Sequence, residues 1–165
     1  MGAPMSFLKD GILTLDEFAQ PSPERLQQGR VAIIECVQEI PCNPCVDICP
    51  RQAITIEGNI TNPPIIDFDK CNGCALCVAN CPGLAIFTIN QVFSETEAEI
   101  GIPYEFLPLP EKGESVLALG RDGKFICEGC VVQIRNPKAY DRTPIVFLAV
   151  PKNYAMIVRF FKRKR

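Results

Sequence analysis

Apolar and polar positions divide the chain into stretches of different texture. Residues 1–30 are mixed, with Pro21, Pro23 and a short amphipathic run from Glu24 to Gln28. They are expected to be an N-terminal extension that packs on the next stretch of chain. Residues 31–93 alternate short β-branched runs with cysteine-rich loops. Residues 94–114 are acidic and carry Pro103, Pro108 and Pro110, which predicts a connector. Residues 115–165 predict a small β-rich region. Val116–Leu119 and Lys124–Ile134 flank Arg121-Asp122-Gly123, and Asp-Gly is a hairpin signal. Thr143–Val150 reads as an apolar strand, and Pro151 is expected to open a closing helix to about Phe161, since proline suits a first helical turn.

The 31–93 stretch repeats itself. Cys45-Val46-Asp47-Ile48-Cys49-Pro50 recurs 32 residues later as Cys77-Val78-Ala79-Asn80-Cys81-Pro82. Without a gap, the same offset pairs Cys42 with Cys74, Ala53-Ile54 with Ala85-Ile86, and Ile33-Ile34-Glu35 with Ile65-Ile66-Asp67. Each half reads strand, cysteine loop, short helix, strand. The predicted class is α+β: a β-α-β-β-α-β domain of approximate two-fold symmetry, followed by the β-rich region. So small a unit buries little apolar area, and metal cross-links supply stability that it lacks.

Composition narrows the chemistry. The 165 residues include 17 basic and 19 acidic ones, too balanced a charge to point to nucleic acid. No apolar run is long enough to cross a bilayer, and Met1–Asp10 has no export-signal pattern, so a cytoplasmic protein is expected. Ten cysteines in such a chain read as metal ligands before disulfides. The chain has no histidine, which removes the usual acid–base residue and the usual nitrogen ligand of zinc and haem. Any metal rests on thiolates, with or without a carboxylate.

The second half reads Cys71-x2-Cys74-x2-Cys77-x3-Cys81-Pro82. Three thiolates at three-residue steps wrap one iron–sulfur cube, and the fourth, on the helix beyond, points at the other cube. Thiolates are soft anionic donors suited to iron–sulfur centres. Zinc ribbons instead use two separated Cys-x2-Cys pairs. These motifs resemble the two-cluster bacterial ferredoxin family over residues 31–93. The resemblance implies that one 4Fe-4S cluster takes Cys71, Cys74, Cys77 and Cys49.

The first half departs from the pattern. The repeat partner of Cys71 is Glu39, and that of Cys36 is Phe68. Cys42, Cys45 and Cys81 remain as ligands of the other cluster. Three readings compete for its fourth position. Cys36 reaches it by a changed loop path that Pro41 helps to shape, Glu39 binds through its carboxylate, or the position is empty and the cluster is 3Fe-4S. Cys36 is favoured, because iron–sulfur clusters are held far more often by thiolates. Against the first stands the reading of Cys36 as a small buried apolar residue at a strand end.

Two further features carry weaker signals. Cys127-x2-Cys130 has the spacing of a redox dithiol or half a metal site, but it falls in a predicted strand with no second pair nearby. Two packing thiols are the expectation. Arg159, Lys162, Arg163, Lys164 and Arg165 form a basic run, expected to be solvated and mobile, with docking to an acidic partner as the alternative.

A narrower resemblance covers residues 29–50 and, in outline, 134–143, where Ile134 stands in place of an expected Val. Both stretches look like ferredoxin-type subunits of flavin-dependent amino-acid dehydrogenases in anaerobic bacteria, whose substrates are proline, hydroxyproline or opine-type amines. The resemblance implies an electron-transfer subunit with a flavoprotein partner. This chain has no Gly-x-Gly-x-x-Gly fingerprint, so any flavin belongs to that partner. The rival readings are a free-standing ferredoxin and a module whose clusters only staple the fold. The cysteine domain alone is expected to survive truncation after Val92, leaving the later residues as partner surface.

Overall fold

The computed structural model describes residues 7–164. Two four-residue helices, α1 (Phe7–Asp10) and α2 (Pro23–Leu26), precede the cysteine region. That region runs β1 (Val31–Ile34), α3 (Pro44–Asp47), β2 (Ile54–Thr55), β3 (Ile65–Ile66), α4 (Leu76–Ala79) and β4 (Ile86–Asn90). Then come β5 (Glu97–Pro103), β6 (Ser115–Gly120), β7 (Phe125–Arg135), β8 (Ile145–Pro151) and β9 (Val158–Arg163), with 3-10 turns at Lys138–Tyr140 and Lys152–Tyr154.

The sequence repeat reappears in backbone geometry, crossed between halves. Ile34 pairs with Ile86 and Ile66 with Ile54, so each half completes a strand of the other. The Glu35 amide donates to the Ala85 carbonyl at 2.8 Å, and the Asp67 amide to that of Ala53 at 2.7 Å. Gln52 and Leu84, also 32 residues apart, both take left-handed φ, at 50° and 51°. A non-glycine residue enters that region only when its surroundings fix it. Here the turn that leaves each cysteine helix is closed by the Gln52 and Leu84 amides donating to the Cys49 and Cys81 carbonyls, both at 3.1 Å.

Seven strands form one antiparallel sheet in the order β1-β4-β5-β8-β7-β6-β9, while β2 and β3 form a separate ribbon. Strand β8 is central, and Ile145–Val150 are all buried. Strand β6 alternates buried with more exposed positions: Val116, Ala118 and Gly120 are buried. The Asp-Gly turn joins β6 to β7 where the sequence placed it.

Three expectations are corrected. Residues 94–114 are no free connector, because they contain β5, which pairs with β4 on one side and β8 on the other. Its Ala98, Ile100 and Ile102 are buried, and the charge of buried Glu99 is met by Arg30. The proline that suggested a linker, Pro103, stands at the strand's end, where a ladder tolerates it. The chain also does not close in a helix. Pro151 ends β8, one 3-10 turn comes next, and β9 pairs with β6. Val158, Phe160 and Phe161 satisfy an open ladder and bury their side chains better in a strand, so tertiary pairing overrides the local helix signal.

The third correction concerns truncation after Val92. Tyr140, Ile145 and Phe147 pack in the same core as Cys45, Cys77, Val78 and Ile86. Removing the later residues strips that core and bares β4.

The basic run is also ordered by ion pairs. Arg163 pairs with Glu114, Lys164 with Glu128, and Arg159 is buried against Glu35; Arg165 lies outside the described residues, as do residues 1–6 of the extension. Glu35 directly succeeds β1 and receives both Arg159 and Arg121, its own side chain being 6% exposed. Burial pulls Arg159 down to about 10, against the opposing pull of Glu35. Glu35→Gln would leave two partly or fully buried guanidinium groups facing a neutral amide. The expected cost is about 3–5 kcal/mol, read as a lower denaturant midpoint, because breaking a buried pair strands its partners.

Candidate iron–sulfur site

The eight repeat cysteines are brought together in two groups. Helix α3 starts at Pro44 and α4 follows the left-handed residue Ala75, and they turn Cys45 and Cys77 inward; both thiols are buried. Burial, then repulsion from Cys81, Cys42 and Cys36, pushes Cys45 up to about 11. Burial with Cys71, Cys74, Cys49 and Cys45 pushes Cys77 well above the ordinary thiol range. Cys36 is raised by burial and by Cys81 and Cys42. One set is therefore Cys36, Cys42, Cys45 and Cys81, the other Cys49, Cys71, Cys74 and Cys77. Each takes its last member from the other half. Cys45 also faces the second set, so the two adjoin.

Cys36, rather than Glu39, stands among the thiols of the first set. Glu39 is exposed, and it shares the lining of a surface cavity with Cys36. The loop path differs between halves for a backbone reason. Gly73 takes φ +65°, and an added Cβ there would lie 2.5 Å from the Arg30 carbonyl oxygen. Its repeat partner is Pro41, whose ring holds φ negative.

The sulfurs are also held by amides. Ala53 N–H donates to Cys49 Sγ at 3.3 Å and Ala85 N–H to Cys81 Sγ at 3.4 Å, the same bond in both halves. Ala32 N–H donates to Cys71 Sγ at 3.4 Å. The residue that would mirror Ala32 is Pro64, which has no N–H, just as the residue that would mirror Cys71 is Glu39. Donor and thiol are thus missing together from the first half. The sequence pattern did not single out these amide donors, although the Cys-x3-Ala spacing repeated at Cys49 and Cys81 carries the signal for two of them.

Does this arrangement fit a 4Fe-4S centre? All four thiols of the second set line one cavity, together with apolar residues such as Ala32, Ala53, Ile54 and Ala75 and with Arg51 and Asn72. Among the described residues no three candidate ligands converge on a point that would hold a single metal ion. A cube places its four ligands on four different irons, so its thiolates stand further apart than those around one ion. Iron's positive charge offsets the repulsion that holds the buried thiols protonated. The donor set fits. Cys127 and Cys130 do not join it. Cys127 sits opposite Ala118 and Cys130 opposite Ser115 in a regular stretch of ladder, so their side chains leave opposite faces of the sheet.

Residues 35–85 match the family of 4Fe-4S dicluster domains. The matched segment holds all eight repeat cysteines and is similar to a ferredoxin-type iron–sulfur domain. The chain is 41% identical over 59 residues to the ferredoxin-type protein NapF of Haemophilus influenzae, covering 34% of this chain and 32% of that protein. It is 43% identical over 49 residues to an uncharacterized ferredoxin of Methanocaldococcus jannaschii, covering 30% of each. Over 48 residues it is 40% identical to the polyferredoxin-like subunit of an aliphatic sulfonate oxidoreductase of Pyrococcus furiosus, covering 29% of this chain and 27% of that one. The aligned stretch is thus about a third or less of each relative's length. No solved structure matches the chain. No helix among the described residues is long and apolar enough to cross a membrane.

Gly73→Ala is expected to break the second cysteine loop, since the clash is with backbone and the residue's φ is positive. Iron content should fall toward half. Gly83→Ala is the control: its Cβ would meet nothing nearer than Cys81 Sγ at 4.0 Å, and iron content should stay at the wild-type level.

Proposed function

We propose that this chain is the electron-transfer subunit of a multi-subunit flavin-dependent amino-acid dehydrogenase, with two 4Fe-4S clusters in a two-fold, ferredoxin-like β-α-β-β-α-β unit. Cys36, Cys42, Cys45 and Cys81 hold the first cluster. Cys49, Cys71, Cys74 and Cys77 hold the second. The observation that carries this is the sorting of eight buried or half-buried thiols into two adjoining fours, each closed by a cysteine from the other half.

When bound, each cluster supplies one-electron chemistry, which a two-electron flavin donor requires. The chain's own part is to exclude water, to fix the thiolates and to aim N–H dipoles at sulfur. Ala32, Ala53 and Ala85 do the last. Such bonds favour the more negative, reduced state of a cluster.

Two observations support the subunit reading. A relative of the cysteine region is itself a subunit of an oxidoreductase, by its name. The stretch 134–143, which resembles dehydrogenase-associated subunits, lies against the second thiol set. Tyr140 donates its hydroxyl to the Cys74 carbonyl at 3.3 Å, and Asn80 Nδ2 donates to the Ala139 carbonyl at 3.4 Å.

Anaerobic purification from the source tests the partner: a flavoprotein should co-elute, and a chain that elutes alone without flavin overturns the subunit reading. Purified protein should contain about eight irons and eight sulfides per chain. About seven irons would mark a three-iron first site, and about four a single cluster. Cys36→Ser should perturb the first cluster and Glu39→Gln should not. Cys49→Ser should remove the paramagnetic resonance signal of the second cluster, although Cys49 lies in the first motif. Cys127→Ala combined with Cys130→Ala should leave iron unchanged.

A further inference from the structure

Arg25 is a buried cation solvated by backbone carbonyls. It lies on α2, whose start is set by Ser22 accepting from the Arg25 amide and by Pro23 in the first turn. Its side chain turns inward, and the residue is only 5% exposed. Nε donates to the Phe68 carbonyl at 2.7 Å, Nη1 to that of Gly29 at 3.4 Å, and Nη2 to those of Arg30 and Cys71. The other three arginines with well-buried side chains each meet a carboxylate: Arg30 meets Glu99, while Arg121 and Arg159 meet Glu35. Among the described residues no carboxylate pairs with Arg25. Four carbonyl dipoles solvate the guanidinium but leave its full charge in place. An unpaired buried charge is expensive, so the fold retains it against something negative.

One such demand, reached through Cys71, is the second thiol set. The Cys71 carbonyl that accepts from Arg25 belongs to the residue whose Sγ also accepts from Ala32. A 4Fe-4S centre on four thiolates is net negative, and one-electron reduction adds a further negative charge to it. We propose that Arg25 is the fixed counter-charge of the centre held by Cys49, Cys71, Cys74 and Cys77, and that it holds that centre's reduction potential up. This rests on the ligand assignment proposed for that centre. Reduction would place the added electron on the centre, with the guanidinium still held by its four carbonyls. The cation therefore favours the reduced state, and its removal lowers the potential. The fork also ties Gly29–Arg30 to Phe68–Cys71, so a purely structural role has to be told apart from an electrostatic one.

The test uses the full chain, purified anaerobically, as R25Q and R25K. Potentiometric titration combined with paramagnetic resonance reads both centres, and C71S identifies which wave belongs to the second. R25Q should keep wild-type iron and lower the second centre's one-electron equilibrium constant about tenfold, roughly 59 mV, with the first centre unmoved. R25K, which retains the charge but not the planar fork, should stay near the wild-type potential. The proposal is overturned if R25Q moves neither centre or both alike, or if R25K falls as far as R25Q. Should R25Q not take up iron, R25K decides alone: an unchanged potential supports the proposal and a tenfold fall overturns it. Failure of the underlying assignment looks different, because C71S would then leave both waves of the wild-type protein in place.

Discussion

Crowded sulfur is the constraint to which the rest of this structure answers. Eight thiols are packed into two adjoining sets, and burial together with mutual repulsion holds the deepest of them, Cys45 and Cys77, in the neutral form. As thiolates they require a compensating positive charge, which iron supplies when bound. The protein adds smaller, fixed contributions around them. Three alanine amides point at sulfur, and a guanidinium from outside the repeat sits on the Cys71 carbonyl. The apolar walls keep the dielectric low, so each of these contributions acts at greater strength than it would in water.

The repeat explains why two sets arise from a short segment. Each half lends a strand and a cysteine to the other, so neither half closes its own site. The matched left-handed turns at Gln52 and Leu84 and the matched amide–sulfur bonds at Cys49 and Cys81 are consequences of one local sequence used twice. Where the sequences diverge, the geometry diverges with them. Gly73 approaches a backbone carbonyl that leaves no room for a side chain, Pro41 cannot copy its conformation, and the first loop reaches its site with Cys36.

The cysteine region is not packed alone. Strand β4 continues into β5, and β8 brings Phe147 and Ile145 onto the core beneath the cysteine helices. Glu35, next to Cys36, is bound by Arg121 from the β6–β7 turn and Arg159 from β9. The strand that leads into the first thiol set is therefore held by the opposite end of the chain. The long antiparallel sheet acts as a rigid base that fixes the cysteine loops, and this is what a centre tuned by bonds of a few ångströms requires.

The cysteine spacing and its gap-free repeat were legible because a cluster imposes its ligand pattern locally, within a few residues of each thiol. The crossing between halves was what the family resemblance implied, and the fourth position of the first set was open among Cys36, Glu39 and an empty site, with Cys36 favoured. The Asp-Gly hairpin was legible for a similar local reason. What lay beyond reach depends on partners distant in sequence. Strand β5 looked like a linker because its two acidic residues and terminal proline are disfavoured in isolation, and only Arg30 and two flanking strands make it a strand. Strand β9 looked like a helix because Pro151 starts helices well, and only the open edge of β6 decides otherwise. Arg25 lies in a short amphipathic run that carried no sign of a buried cation. Its surroundings are four carbonyls gathered by the folded chain, of which those of Phe68 and Cys71 are distant in sequence. Local stereochemistry and ligand spacing were written in the sequence, whereas pairing and charge compensation between distant segments exist only once the chain has folded.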